Sequence, residues 1–126
     1  MEGSSMRTPG QKKTVWINGL LIFGLILAIV AGAYLRFSSV NWDEDQHMHP
    51  DERFLSLVQV AIAPVERPSE YFNTAASSLN PANRGYTFFV YGTLPIFIIR
   101  YLGEAFGQTD YNALTILGRY TSAVFD

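Results

Sequence analysis

Ionisable side chains crowd into one short stretch of the sequence. Residues 41–52 read NWDEDQHMHPDE and contain five carboxylates and two histidines. A carboxylate beside a hydroxyl group can take its proton as a general base. The adjacent pair Asp51 and Glu52, preceded by Pro50, is therefore the first candidate for acid–base catalysis. The alternative is that both carboxylates only complement a helix dipole.

The same stretch could also hold a metal ion. Alternate residues of an extended segment face the same side, and carboxylates with imidazoles bind divalent metals. This spacing gives a candidate site for Mg²⁺ or Mn²⁺ formed by Asp43, Asp45, His47 and His49. The alternative is that these side chains belong to a solvated acidic loop.

Composition excludes several other classes of site. Nine Lys and Arg residues against eleven Asp and Glu residues give a net charge of −2, which offers no basic surface for nucleic acid. The chain has no cysteine, so disulfides, thiolate zinc sites and cysteine nucleophiles are excluded. Only 16% of the residues are charged. Soluble domains average about 25%, so we expect long apolar segments.

The first apolar segment is long enough to cross a bilayer. Residues 14–35 carry no charge, and a helix of this length spans about 33 Å. Arg7, Lys12 and Lys13 precede it, so the positive-inside rule places residues 1–13 in the cytoplasm. A cleaved signal peptide is the alternative, because residues 31–33 read AGA, as at an A-x-A cleavage site. The length of the apolar segment favours a transmembrane helix.

The next segment, residues 36–85, is predicted to be an external acidic loop. It contains seven acidic residues, four arginines and both histidines. Pro50 fits the first turn of a helix, predicted at about residues 50–63. Ser56 and Gln59 lie outside its apolar face. A short amphipathic helix next to a span is expected to lie in the headgroup plane. The predicted apolar face consists of Phe54, Leu57, Val58, Ala61 and Ile62.

Two further apolar segments complete the predicted architecture. Residues 86–106 form a second transmembrane helix, in which Arg100 reaches a lipid headgroup. Residues 107–111 make a short cytoplasmic connection, and residues 112–126 begin an incomplete third span. The predicted fold is an all-α membrane protein, the N-terminal part of a polytopic helical bundle whose external loop carries an amphipathic interfacial helix. We expect it in the plasma membrane if the source is bacterial.

These motifs resemble those of GT-C glycosyltransferases that use polyprenyl-phosphate sugars, above all the protein O-mannosyltransferase and lipid A aminoarabinose transferase group. In that family the first external loop carries an Asp-Glu-like pair followed by Arg and apolar residues, as in Asp51-Glu52-Arg53-Phe54-Leu55. The tetrad that begins at His49 is also similar to lipid-linked mannosyltransferases. Further matches are Asn80-Pro81, Phe106-Gly107 and the stretch from Gly118-Arg119 to Ala123. The resemblance covers nearly the whole chain but only the N-terminal part of such an enzyme.

The resemblance implies transfer of a sugar from a polyprenyl-phosphate donor to an acceptor hydroxyl on the extracytoplasmic side of a lipid bilayer. Asp51 is then the candidate base, and a single displacement inverts the anomeric configuration. Glu52 or a divalent ion could assist with the phosphate. The candidate substrate-binding residues are Arg53, Trp42 and Arg119, the last facing the bundle interior. The alternative is a small non-catalytic membrane anchor or subunit whose external loop binds a partner.

Overall fold

The computed structural model describes the backbone of residues 9–126 and the side chains of residues 14–126. The chain divides into two compact units, Met1–Ser38 and Ser39–Asp126. Within the described part of the chain, every regular element is helical. The basic side chains of the predicted cytoplasmic tail, residues 1–13, lie outside the described residues, so the orientation of the chain stays a prediction.

The first unit contains one long helix, α1, Pro9–Phe37. Its segment Thr14–Phe37 has 24 residues and a mean hydropathy of 2.4, and it alone among the described helices is long and apolar enough to cross a membrane. At 1.5 Å per residue it measures about 36 Å, against about 30 Å for the hydrocarbon core of a bilayer. Its large apolar side chains are exposed around the helix. A signal sequence shares this length and composition, so that alternative stays open.

The second unit is built from four α-helices and one 3-10 helix. The α-helices are α2, Pro50–Ala61; α3, Pro68–Phe72; α4, Thr93–Phe106; and α5, Tyr111–Phe125, with the 3-10 helix at Pro81–Arg84. Each of α2, α4 and α5 packs against the other two. Of the second span predicted at residues 86–106, only the part from Thr93 is helical, which gives α4 a length of about 21 Å.

The core of this unit lies where α2 meets α4. It consists of Val58, Ile62, Leu79 and Ile96, all at most 1% exposed. Aromatic side chains, including Phe54, pack around this core. Burial of these apolar side chains away from solvent supplies the main driving force for the unit to fold around α2.

Local sequence explains where α2 begins and ends. His49 has an extended backbone, and its Nδ1 accepts a hydrogen bond from the Glu52 N–H at 3.4 Å, while Pro50 occupies the first turn. A helix start leaves its first N–H groups unpaired. The His49 side chain pairs one of them, and Pro50 has no N–H group to pair. At the other end, Ile62 returns to an extended backbone just before Pro64.

The buried face of α2 differs from the predicted apolar face. Ser56 and Gln59 are buried, whereas Leu57 is 48% exposed. The prediction that both polar residues lie outside the buried face was wrong. For Ser56 the reason is a partner on another helix, because its hydroxyl hydrogen-bonds that of Thr115 on α5 at 2.7 Å. A hydroxyl that finds such a partner can be buried at little cost.

Arg100 is buried in α4, which corrects the prediction that it reaches a lipid headgroup. Its Nη1 donates to the carbonyls of Gln59 and Val60 at 3.2 and 3.3 Å, and its Nη2 donates to Glu104 at 2.6 Å. The two carbonyls belong to the last turn of α2, where helix carbonyls lack partners within the helix. Arg100 therefore caps the C-terminus of α2.

A tight turn joins α4 to α5. Gly107 adopts a left-handed backbone with a φ of 65°, and the Gln108 N–H donates to the Gly103 carbonyl at 2.8 Å. At Gly103 a β-carbon would lie 2.7 Å from the Gln108 carbonyl oxygen and 2.6 Å from a methyl group of Leu114. The close approach of α4 and α5 therefore requires glycine at position 103.

Candidate functional site

Arg119, in the middle of α5, binds two carboxylates that lie 76 and 67 residues before it in the sequence. Its Nη1 and Nη2 donate to the two oxygens of Asp43 at 2.8 and 2.7 Å. Its Nε and Nη2 donate to the two oxygens of Glu52 at 2.7 and 2.6 Å. Nη1 also donates to the Val40 carbonyl at 3.1 Å. These hydrogen bonds use the whole donor capacity of the guanidinium group.

We call Arg119, Asp43 and Glu52 the Arg119 cluster. The Asp43 side chain is completely buried, and that of Arg119 is 10% exposed. The indole ring of Trp42 lies over the guanidinium, 5.6 Å from its carbon to the ring centroid, and forms a cation–π contact. Hydrogen bonds from Arg119 hold the pKa of Asp43 well below its usual range, against the opposing effect of burial. The cluster therefore connects α5 to α2 and to the acidic loop.

The acidic loop wraps around the Asp43 carboxylate. The Met48 N–H donates to Asp43 Oδ2 at 3.2 Å. Within this bend, Glu44, Asp45 and His47 all have positive φ values, between 49° and 63°. Such a backbone is disfavoured for residues other than glycine, so the surrounding contacts must stabilise it.

The four predicted metal ligands are not brought together as a coordinating group. Asp43 is bound by Arg119, the His49 Nδ1 caps α2, and the His47 Nε2 hydrogen-bonds the Asn112 amide oxygen at 2.7 Å. In residues 14–126 no group of three or more His, Asp or Glu side chains is placed to hold a metal ion. The Mg²⁺ or Mn²⁺ site involving Asp45 stays a prediction that the observed donor arrangement does not support.

Asp51 and Glu52 are neighbours in different surroundings. Glu52 is tied to Arg119, whereas Asp51 is exposed on the first turn of α2. Of the ion pairs found among the described residues, none includes Asp51. The nearby Asp51 carboxylate raises the pKa of Tyr91, which lies in the non-helical segment before α4.

The predicted substrate-binding residues separate into two groups. The side chains of Arg53 and Trp42 are exposed and accessible to a ligand. Arg119 is not, because its donors are already used within the cluster. The structure thus places Asp51, Arg53 and Trp42 at the surface of the second unit and encloses Arg119, Asp43 and most of Glu52.

Sequence reasoning missed two relationships at this site. The pairing of Arg119 with the acidic loop had a signal, because an arginine within an apolar segment needs a partner of opposite charge. Which of the loop carboxylates it selects depends on the packing of α5 against α2. The electrostatic effect of Asp51 on Tyr91 had no sequence signal, since the two residues are far apart in the chain and tyrosine fits an interfacial segment equally well.

Comparison with known proteins assigns no family to this arrangement. No protein-family model matches the chain, and neither a curated protein nor a solved structure matches it.

Proposed function

We propose that the chain is the N-terminal portion of an integral-membrane glycosyltransferase with Asp51 as its general base. The enzyme moves a sugar from a polyprenyl-phosphate donor to an acceptor hydroxyl on the extracytoplasmic side. The observation that carries the proposal is the separation of the two adjacent carboxylates. Arg119 holds Glu52, whereas Asp51 is exposed and outside the ion pairs of the described residues.

An exposed carboxylate can contact an acceptor hydroxyl directly. In the proposed step the acceptor oxygen gives its proton to Asp51 and attacks the anomeric carbon of the donor. The bond from that carbon to the phosphate oxygen breaks, and polyprenyl phosphate leaves with the electron pair. A single displacement of this kind inverts the anomeric configuration. Asp51 returns the proton to solvent before the next turnover.

Stabilisation of the leaving phosphate requires a positive charge close to the base. Arg53 is exposed and only two residues from Asp51, so it is the proposed phosphate ligand in this chain. Side chains two residues apart on a helix do not share a face. The polyprenyl-phosphate sugar must therefore lie across the first turn of α2 to contact both Asp51 and Arg53. The exposed indole of Trp42 offers a surface on which a sugar ring can stack.

In this proposal Arg119 does not bind the substrate, which is the role predicted from the sequence. Because its donors are occupied, it acts as a positioning residue that fixes Glu52 and thereby the first turn of α2. The neighbouring residue Asp51 is then held on a rigid element. Fixing a reacting group in this way can account for a large part of the rate of an enzyme.

Chain connectivity supports a site at the membrane surface. Helix α1 ends at Phe37, and the second unit begins at Ser39. If α1 spans the bilayer, the acidic loop must start at the headgroup level, which is where the phosphate of a polyprenyl donor lies. The proposed partners are therefore the bilayer and the lipid-linked sugar, whatever the acceptor is.

The test uses the complete protein reconstituted in lipid nanodiscs and assayed with polyprenyl-phosphate-linked sugars. We expect Asp51→Asn to lower the transfer rate by about 100-fold or more, because a neutral amide cannot take the proton. Glu44→Gln, which alters an exposed carboxylate of the same loop, is the matched control and should transfer at the wild-type rate. Retained transfer in Asp51→Asn contradicts the assignment of the base. A wild-type protein that transfers no sugar from any donor tested favours the membrane-anchor alternative.

A further inference from the structure

Helix α4 has an apolar face that the rest of the second unit leaves uncovered. The side of α4 that packs against the unit consists of Ile96, Ile99, Arg100 and Gly103, all buried. On the opposite side, four apolar or aromatic residues recur at the spacing of a single helix face. We call them the outer face of α4: Leu94, Phe97, Ile98 and Tyr101. Leu94 is 67% exposed and Tyr101 is 41% exposed, while the two between them are partly buried.

Two aromatic residues of α3 extend this outer face. The ring centroid of Tyr71 lies 6.3 Å from that of Phe97 and 5.3 Å from that of Phe72. Phe72 is 79% exposed, and Tyr71 is 47% exposed. Together with the outer face of α4, these two residues form what we call the α3–α4 surface. Contiguous apolar surface exposed on a folded unit marks an interaction site.

The α3–α4 surface is suited to an apolar environment. None of its six residues is charged. The Tyr101 hydroxyl accepts a hydrogen bond from the Val65 N–H at 3.3 Å, so it already has a partner within the unit. Glu104, one turn beyond Tyr101, is bound to Arg100 at 2.6 Å. Removal of this surface from water therefore gains the hydrophobic free energy at a small polar cost.

Helix α2 cannot supply such a surface with its central apolar residues. Val58 and Ile62 belong to the face for which the sequence predicts contact with the headgroups, but both are at most 1% exposed and pack in the core. They are therefore shielded from lipid. Contact of the second unit with a bilayer through exposed apolar side chains must come from another element, and α4 offers one.

Chain connectivity favours a bilayer as the partner. The segment of the described residues that is long and apolar enough to cross a membrane ends at Phe37, and the second unit begins at Ser39. Two extended residues cover about 7 Å. When α1 crosses the bilayer, the second unit therefore starts at the headgroups. A folded unit attached so closely presents one of its surfaces to the lipid, and an uncharged apolar surface does so at the lowest cost.

We propose that the α3–α4 surface docks the second unit onto the bilayer that α1 crosses. With 14 residues, α4 measures about 21 Å, too short for a hydrocarbon core of about 30 Å. It therefore lies along the membrane, with its outer face among the upper acyl chains and its buried side against the unit. Helices in this position enter the boundary between headgroups and acyl chains by about 5–10 Å. This inference goes beyond the proposed function and does not depend on sugar transfer.

The test measures which solvent contacts Leu94. The chain has no cysteine, so an introduced cysteine carries a nitroxide spin label at a defined position. Leu94→Cys is labelled in the complete protein in lipid nanodiscs. Leu27→Cys, on α1, is the lipid-exposed reference, and Glu44→Cys is the water-exposed reference. Electron paramagnetic resonance gives the collision rates of each label with oxygen, which concentrates in lipid, and with a water-soluble nickel chelate.

We expect the ratio of oxygen to nickel collision rates at Leu94 to exceed that at Glu44 severalfold and to approach that at Leu27. A ratio at Leu94 equal to that at Glu44 places the surface in water and overturns the proposal. Low collision rates with both reagents mean that protein covers the surface, which also overturns it. Dipolar broadening that disappears on dilution with unlabelled protein then identifies the cover as a second copy. A water-like ratio at Leu27 shows that α1 does not cross the bilayer, and the proposal fails with it.

Phe72→Cys repeats the measurement on α3. Its side chain is 79% exposed and contacts the Tyr71 ring, so its replacement leaves the core intact. We expect a ratio close to that at Leu94 and a melting temperature equal to that of the wild type. A water-like ratio at Phe72 overturns the part of the surface assigned to α3. None of these measurements uses sugar transfer, so they stand or fall separately from the proposed function.

Discussion

Arg119 and Asp43 face each other so that two nitrogens of the guanidinium each donate to a different oxygen of the carboxylate, at 2.8 and 2.7 Å. This parallel geometry is stronger and more directional than a single hydrogen bond. Since the Asp43 side chain is completely buried, its charge depends on Arg119 for compensation. The second unit therefore depends on this pair for its stability.

The first prediction concerns the loss of that compensation. Arg119→Met leaves Asp43 buried without a counter-charge, so we expect the melting temperature of the protein in detergent to fall by several degrees. Arg119→Lys keeps the charge but cannot make the bidentate hydrogen bonds, so it should have an intermediate melting temperature. Arg67→Met, at an exposed position, is the control and should melt like the wild type. Equal melting of Arg119→Met and wild type contradicts a stabilising role.

The second prediction is a pH dependence. The pKa of Asp43 in the folded chain lies well below its value of about 3.9 in the unfolded chain. The unfolded state therefore binds a proton first as the pH falls, so the stability that Asp43 contributes is complete above about pH 5 and declines below it. We expect the difference in melting temperature between wild type and Asp43→Asn to shrink from pH 6 to pH 3. A constant difference over this range is incompatible with the lowered pKa.

The third prediction tests the close approach of α4 and α5. Gly103→Ala places a methyl group against the Gln108 carbonyl, and we expect a loss of about 1–3 kcal/mol in the free energy of unfolding. Gly118→Ala is the matched control on α5, because its β-carbon meets only Ile99 at 3.4 Å. This second variant should be neutral or stabilising, since alanine favours a helix over glycine. Urea titration of both variants measures their free energies of unfolding. If Gly103→Ala is as stable as the wild type, glycine is not required at position 103.

The fourth prediction concerns the end of α2. Arg100→Met removes the donors to the carbonyls of Gln59 and Val60 and should cost about 2 kcal/mol. Arg100→Lys retains a positive charge near the helix C-terminus and should recover part of this loss. Chemical denaturation of the three proteins tests the order. If Arg100→Met is as stable as the wild type, Arg100 does not cap α2.

The fifth prediction separates the two adjacent carboxylates. Glu52→Gln weakens the Arg119 cluster, so we expect a lower melting temperature with part of the sugar transfer retained. Asp51→Asn should do the opposite, with a wild-type melting temperature and little transfer. Thermal melting and transfer assays on the same preparations test this contrast. Loss of stability in Asp51→Asn, or loss of transfer alone in Glu52→Gln, reverses the roles assigned to these residues.

The start of α2 could be predicted from sequence because its determinants are local. Pro50 and the residues on either side of it fix the first turn without help from other elements. The same locality makes α1 evident as an apolar helix. A few neighbouring residues determine the first turn of α2, and the apolar composition of one segment determines α1.

The buried face of α2 could not be predicted in the same way. Ser56 is buried because Thr115 on α5 offers a hydroxyl group at 2.7 Å, and no pattern within α2 reports that partner. Arg100 likewise looked like a headgroup anchor because its carbonyl partners lie on another helix. At the candidate site, the composition of the loop identified the carboxylates, but only the packing of α5 shows which of them Arg119 binds.

The Arg119 cluster also sets an order of events during synthesis. Asp43 and Arg119 are 76 residues apart, and translation at 5–20 residues per second separates their appearance by about 4–15 s. During that interval the Asp43 carboxylate has no guanidinium partner and must stay hydrated. The hydrogen bonds that join Asp43, at the start of this bend, to α5 can form only after that interval. Until α5 has been made, the acidic loop of a nascent chain therefore lacks the hydrogen bonds that attach it to Arg119.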